Sequence, residues 1–308
     1  MNAPLTVQSF TPRKRIIQRF MQHRLALISF ITLLILCTLA LFAPVIEHLM
    51  DLDNTAVDLF NRLQPSSATH WLGTDELGRD LFIRLLYGGR ISLGIGLISA
   101  LLAAVIGTLI GLCAGYFGGW LDSFLMRFTD GIIALPLLPL LIVLAAIDLN
   151  KLGLPESIIQ SDQLSLYRIV LIISLVGWTT VARLVRAETL SIKSRDFVLA
   201  ARAQGATSRH ILLVHILPNV MSPIVVATTL TIGNVILFES VLSFLALGVQ
   251  PPFPSWGNML TNVQDNIWDA PILAFWPGAF IFLTVMAFNF LGDGFQDTLD
   301  PRASIENS

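Results

Sequence analysis

The stretch Leu25–Ile46 reads LALISFITLLILCTLALFAPVI, 22 residues without one charged side chain. A helix rises about 1.5 Å per residue, so this stretch is long enough to cross a hydrocarbon core about 30 Å thick. A cleaved signal peptide is the competing interpretation, because basic residues precede the stretch: Arg13, Lys14, Arg15, Arg19 and Arg24. A signal peptide has a shorter apolar region, about 7 to 15 residues, that ends at an A-x-A-like site. We therefore predict an uncleaved transmembrane helix.

The composition of the whole chain is that of a membrane protein. Of 308 residues, 54% are hydrophobic and 13% are charged, whereas soluble domains carry about 25% charged residues. A net charge of −2 argues against a nucleic-acid partner, which would require a basic surface. Cys37 and Cys113 both lie inside apolar stretches, which excludes a disulfide framework or a CxxC metal site.

Further apolar stretches predict more spans, at Ile91–Tyr116, Phe124–Ile147, Ile169–Leu184, Pro223–Leu245 and Ile272–Leu291. Prolines interrupt the second of these stretches, which a helix bundle tolerates because neighbouring groups satisfy the freed backbone. The sequence therefore predicts an all-α membrane protein with about six transmembrane helices.

The basic residues are distributed unequally between the two sides of the membrane. With the N-terminus inside, 13 of the 19 Lys and Arg residues fall on the cytoplasmic side, so both termini are predicted to be cytoplasmic. The predicted segments are a cytoplasmic tail (1–24), the first helix (25–46), an extracytoplasmic segment (47–90), a core of five helices (91–291) with a basic cytoplasmic loop (185–219), and a cytoplasmic tail (292–308).

Two features inside the predicted spans indicate contacts between helices. Gly107, Gly111 and Gly115 share one helix face, and small residues at this spacing let a second helix approach closely. Glu239 is the acidic residue well inside a predicted span, so it is expected to face protein or water rather than lipid. Both a place in the solute pathway and an interhelical hydrogen bond fit it.

The basic loop contains the sequence RDFVLAARAQGATSRHILLVHILPN, from Arg195 to Asn219. It predicts a short helix, Phe197–Gln204, with Asp196 as N-cap and Gly205 in the left-handed conformation just after its end. Thr207 or Ser208 is then expected to cap a second helix, Arg209–Leu217, which Pro218 ends. Small residues predict a surface that fits a groove of another protein; the alternative is a helix lying on the bilayer. These residues are Ala200, Ala201, Ala203 and Ala206.

The sequence offers no catalytic machinery. It contains no G-x-x-x-x-G-K-[ST] phosphate loop, no H-E-x-x-H and no G-x-S-x-G motif. The chain is therefore predicted not to be an enzyme. If ATP drives transport, another subunit must hydrolyse it.

Several blocks, in order along the chain, resemble bacterial ABC importer permeases of the peptide/nickel family, and in particular their C-type subunit. They are His70–Asp75 (HWLGTD), Ser255–Leu260 (SWGNML), Asn289–Gly294 (NFLGDG) and the loop pattern E-A-A-x-x-x-G followed by I-x-L-P. In this loop Ala200, Ala201, Gly205, Leu217 and Pro218 match, whereas Leu199 and His215 replace the family's glutamate and isoleucine.

The resemblance implies a multi-pass subunit of the bacterial inner membrane that forms half of a peptide pathway. It implies a second homologous permease, two ATP-binding subunits that hold ATP and Mg²⁺, and an extracytoplasmic solute-binding protein; no cofactor is expected in this chain. The ATPase-coupling residues would be Asp196, Ala200, Ala201, Gly205, Ala206, Arg209 and Pro218. Nickel or another small solute is the alternative cargo. A stand-alone secondary transporter or channel is the more distant alternative, although no paired broken helices or internal repeat favour it.

Overall fold

In a computed structural model the chain is helical, and the residues that the structure describes are 20–148, 151, 155, 161, 163–261 and 263–299. The helices are α1 (Arg24–Leu41), α2 (Ala43–Met50), α3 (Leu81–Phe117), α4 (Gly119–Ile133), α5 (Leu137–Ala146), α6 (Leu164–Ile192), α7 (Asp196–Ala203), α8 (Ser208–Phe244), α9 (Val263–Asn266) and α10 (Ile272–Leu299). Five of them are long and apolar enough to cross a membrane, and α4 with α5 forms a bent pair that adds a sixth if counted as one span. The all-α prediction is confirmed.

Helix α3 begins at Leu81, well before the predicted Ile91, and α2 occupies Ala43–Met50, so residues 47–90 are only partly a loop. Asp80 caps α3 by accepting a hydrogen bond from Ile83 N at 2.9 Å. The first turn of α3 contains Arg84, which makes the beginning of this helix look polar in sequence. In the structure Arg84 is buried and lies 3.3 Å from the Asp75 carboxylate. A paired charge can therefore stay inside the fold.

The predicted span Phe124–Ile147 consists of two helices, α4 and α5, and the chain bends by 86° between them, so it is a broken span or a re-entrant pair. Pro136 lies in the break; it has no backbone N–H and disfavours helical geometry in the residue before it. Pro139 lies in the first turn of α5, where a missing N–H is tolerated.

The predicted loop 185–219 is shorter in the structure, since α6 continues to Ile192 and Val185 is fully buried. Pro218 does not end a helix. It lies in the first turn of the segment Leu217–Phe244, which follows a π-helical turn at Ile211–Ile216 without a break, so that α8 runs on from Ser208. The wider π turn accommodates a proline where a regular turn would clash.

The C-terminal helix α10 continues to Leu299, past the predicted Leu291. Residues 1–19 and 300–308 of the two predicted tails lie outside the described residues. The core is built by α3 along α6, with α8 against α3 and α10, and α1 against α10.

Helices α3 and α6 approach each other closely along the face that carries the three glycines. A Cβ atom added to Gly107 would lie 2.6 Å from the carbonyl oxygen of Trp178, and one added to Gly111 would lie 2.6 Å from that of Ala182. At Gly115 it would lie 2.7 Å from Thr189 Cβ. These positions have no room for a side chain, so the two backbones pack directly on each other.

Candidate functional site

A cavity of about 320 Å³ lies where α4 bends into α5, against α6 and α8. Its apolar wall includes Leu135 from the bend and Phe238 from α8, and its polar groups are Thr179, Thr180, Thr231 and Asn234. None of the described lining residues is charged. The site therefore offers neutral hydrogen-bonding groups beside an apolar wall.

The break between α4 and α5 explains why the cavity is found here. Irregular backbone at membrane depth is tolerated where it is buried in protein or lines a cavity. Asn234 and Thr180 are exposed on the surface of this subunit although both lie within long apolar helices. A carboxamide in such a helix is costly against lipid, so a cavity or a partner subunit is its favourable surrounding.

Glu239 does not line this cavity but is completely enclosed on another side of α8. Its Oε2 accepts a hydrogen bond from Ser92 Oγ of α3 at 3.1 Å. Its Oε1 accepts one from Ser243 Oγ, one turn further along α8, at 2.7 Å. This position fits the interhelical hydrogen-bonding role that the sequence left open rather than the pathway role.

The predicted coupling loop lies at the opposite end of α8 from Phe244. Helix α7 touches the bundle through Val198, which is fully buried among Val181, Ile211 and neighbouring side chains. The guanidinium of Arg202 lies 5.6 Å from the ring centre of Tyr116, at the end of α3. The loop is thus attached to α3, α6 and α8 together.

The turn after α7 has the geometry that the sequence predicts at two positions. Gly205 has a φ of +84°, a conformation that residues with a Cβ rarely adopt. Thr207 caps α8 by accepting a hydrogen bond from His210 N at 3.3 Å. Asp196, however, is the first residue of α7, and the N-cap position belongs to Arg195.

Most of the predicted coupling residues are on the surface. Asp196, Ala200, Gly205, Arg209 and Pro218 are exposed, and Ala201 and Ala206 are partly so. Two large apolar side chains of α7 are also partly exposed, Phe197 at 41% and Leu199 at 47%. The loop therefore presents small and apolar groups that the described part of this chain leaves uncovered, which is typical of a docking surface.

Two polar ties near this loop were not predicted. Arg186 of α6 makes a two-pronged ion pair with Asp122 of α4, with Arg186 Nη2 at 2.6 Å from Asp122 Oδ2. Lys193 Nζ donates to the carbonyl oxygen of Gly115, at the end of α3, at 2.7 Å. Opposite charges 64 residues apart along the chain give no local sequence signal, so only the fold brings them together.

Long apolar helices, a broken helix beside a neutral cavity and an exposed helical loop are the features of a multi-pass membrane protein. The chain belongs to the family of binding-protein-dependent transport system inner membrane components, whose model matches residues 107–305. The N-terminal transmembrane domain of oligopeptide transport permease C matches residues 11–65. The resemblance noted in the sequence is thereby confirmed, as is a multi-pass place in the inner membrane.

Individual relatives match over almost their whole length. The oligopeptide transport system permease protein OppC of Bacillus subtilis is 36% identical over 92% of this chain and 88% of its own. The dipeptide transport system permease protein DppC of Alkalihalophilus pseudofirmus is 37% identical over 98% and 94%. The glutathione transport system permease protein GsiD of Pectobacterium atrosepticum is 40% identical over 95% and 92%.

Proposed function

We propose that this chain is the transmembrane subunit of an ATP-driven peptide importer and forms one half of the translocation pathway. The family match over residues 107–305 carries the proposal. The names of the relatives, which refer to oligopeptides, dipeptides and glutathione, support a peptide as the cargo. A neutral cavity with amide and hydroxyl groups suits a solute rich in peptide groups.

The complete transporter would contain a second permease, two ATP-binding subunits that hold ATP and Mg²⁺, and an extracytoplasmic solute-binding protein. The distribution of Lys and Arg supports a cytoplasmic position for both termini and for the α7–α8 connection. The cavity would face the second permease, so that the pathway runs between the two subunits.

The contacts of α7 suggest how ATP-driven motion reaches the cavity. A displacement of α7 would be passed through Val198 to the cluster that includes Leu112 of α3, Val185 of α6 and Ile216 of α8. Helices α6 and α8 also line the cavity. Rigid-body movement of this packed unit would then open the half-pathway to one side at a time.

The turn at Gly205 offers the most direct test. Its φ of +84° disfavours a β-branched residue, while a Cβ there meets no atom within 4 Å, so Gly205→Val strains the turn without a clash. We expect the variant complex to hydrolyse ATP while peptide uptake falls roughly tenfold, because strain of about 1–2 kcal/mol shifts the docked geometry by about that factor.

Gly205→Asn is the matched control, since asparagine tolerates the left-handed conformation and should keep most of the uptake. Membrane levels of both variants and their co-purification with the ATP-binding subunits are measured in parallel. Normal uptake by Gly205→Val at a normal membrane level would contradict the coupling role of this loop. If a lipid-soluble reagent labels α7 and no ATP-binding subunit co-purifies with the chain, the alternative that α7 lies on the bilayer is favoured.

A further inference from the structure

The connection after α8 folds back into the bundle instead of lying on its surface. We call residues 246–261 the re-entrant segment. Its Trp256 is only 1% exposed, and its Nε1 donates a hydrogen bond to Leu85 O of α3 at 2.9 Å. The indole fills a slot made by the absence of side chains on α3, since a Cβ added to Gly89 would lie 2.8 Å from the ring.

The carboxyl group of Glu239 joins this segment to two helices. Ser92 of α3 donates to it and also accepts a hydrogen bond from Trp256 N at 3.2 Å. Ser243 donates to it and also accepts one from Val249 N at 3.0 Å. One buried carboxyl therefore orients two hydroxyls, and each hydroxyl holds one backbone amide of the re-entrant segment.

The first part of the segment reaches the helices that line the cavity. Val249 packs in the cluster that holds Leu141 of α5 and Ile173 of α6, and both of these residues line the cavity. Gln250 N donates to Ser165 Oγ at the beginning of α6 at 3.3 Å. The segment thus extends from α5 and α6 at one end to the Trp256 slot on α3 at the other, across the ends of these helices.

We propose that Glu239 is a positioning residue that holds the re-entrant segment closed over the adjacent end of the cavity, the end that the charge distribution predicts to face outside. Moving the segment away would separate Val249 and Trp256 from their serine partners and leave polar groups buried without hydrogen bonds, which opposes opening. The proposal rests on the proposed function for the meaning of the cavity as a half-pathway. The closure itself is measured without transport or ATP.

The test measures how fast a cysteine in the cavity reacts with a membrane-impermeant maleimide added outside right-side-out vesicles that contain the complete transporter. The probe is Thr180→Cys in a background with Cys37→Ala and Cys113→Ala. With Glu239→Ala we expect labelling to become roughly tenfold faster, because loss of a buried hydrogen-bonding partner shifts a closed–open equilibrium by about that factor.

Glu239→Gln is the conservative variant. Its amide can still contact both serines, because a serine hydroxyl can donate or accept, so labelling should return close to the rate with Glu239. Glutamine also restores the packing, so the hydrogen bond itself is tested by Ser92→Ala, which removes a hydroxyl group and almost no volume. A second probe, Ile267→Cys in the exposed connection before α10, should react equally fast in every variant.

If Glu239→Ala fails to assemble, Ser92→Ala removes one arm of the network and is expected to speed the labelling of Thr180→Cys by a smaller factor. Equal labelling rates for the protein with Glu239 intact and for the Glu239→Ala and Ser92→Ala variants would overturn the proposal. Faster labelling only from the opposite side of the membrane would overturn it as well. Failure of the Gly205 experiment would leave these labelling rates unchanged, so the two proposals can fail separately.

Discussion

The two ends of helix α8 are attached to the bundle in opposite ways. After Phe244 the chain turns back inside, where Trp256 is enclosed and backbone amides bond to buried serines. Before Ser208 the chain lies on the surface of the bundle. Helix α7 contacts the bundle chiefly through Val198, while Phe197 and Leu199 remain partly exposed. The first end is completed within the subunit, whereas the second leaves apolar surface for something else to cover.

This difference indicates a division of labour along one helix. A segment whose polar groups are satisfied internally is held in place by the helices that it contacts. An exposed loop with apolar side chains and a glycine turn offers a surface to a partner, and in the proposed coupling the partner's motion enters the core through Val198. We call the close contact between α3 and α6 at Gly107, Gly111 and Gly115 the glycine seam. It connects the two ends, since α3 contacts Trp256 at one end and Arg202 at the other.

The sharpest test of this comparison removes one aromatic side chain from each end. Trp256→Ala should lower the free energy of unfolding by about 3–5 kcal/mol, as expected for an enclosed indole that leaves a cavity. Phe197→Ala should lower it by only about 1 kcal/mol, because the ring is 41% exposed and its removal leaves no enclosed cavity. Unfolding of the purified subunit in mixed micelles measures both values.

In an assay of the assembled transporter, Phe197→Ala should have a larger effect than Trp256→Ala. Phe197→Ala is expected to weaken co-purification of the ATP-binding subunits although the subunit itself is stable. Phe60→Ala is its control, since Phe60 is another exposed aromatic, on the connection between α2 and α3. Equal destabilisation by Trp256→Ala and Phe197→Ala would show that the two ends are not built differently.

The second test breaks the seam that joins the ends. In Gly111→Val the new Cβ would lie 2.6 Å from Ala182 O and 2.8 Å from Val185 Cβ, so α3 and α6 must separate. We expect destabilisation of about 1–3 kcal/mol from overpacking, with a loss of uptake that exceeds the loss of membrane-inserted protein. Tm of the complex and uptake per inserted subunit are the two measurements.

Gly94→Ala is the matched control on the same helix, because a Cβ at Gly94 meets no atom within 4 Å. It should leave Tm unchanged or slightly higher, since alanine favours helix more than glycine does. If Gly111→Val were as well tolerated as Gly94→Ala, the α3–α6 contact would not be the rigid link between the ends.

Local chemistry made several parts of this architecture predictable. Apolar length located the long helices, although not their ends, and the spacing of Gly107, Gly111 and Gly115 identified the face on which a neighbour packs. The turn at Gly205 followed from the need for a residue that adopts positive φ. Each of these signals is contained in one helix or one turn.

The remaining features depend on residues that are distant in sequence. The sequence did not reveal that Arg84 would be paired and buried, so α3 was predicted to begin too late. A proline ordinarily predicts the end of a helix, whereas Pro218 follows a π-helical turn that leaves no simple sequence pattern, and the helix continues. The cavity and the Glu239 network each combine residues from three or more segments, so no local signal could have located them.

The smallest expected effects come from two helix caps, Asp80 at the beginning of α3, near the re-entrant segment, and Thr207 at the beginning of α8. Asp80 is almost completely buried; besides capping α3 it lies 2.9 Å from His70 Nδ1, so Asp80→Ala removes a cap and leaves a partner unsatisfied. Thr207 caps α8 on the surface, where water can replace the hydroxyl in Thr207→Ala. We expect losses of about 1–2 kcal/mol for the first and about 0.5 kcal/mol for the second, measured as free energies of unfolding.

Asp80→Asn and Thr207→Ser retain a capping oxygen and should recover most of each loss. Equal losses would mean that the connection before α3 is as open to water as the loop after α7, and the contrast between a closed end and an exposed end would then be confined to the re-entrant segment.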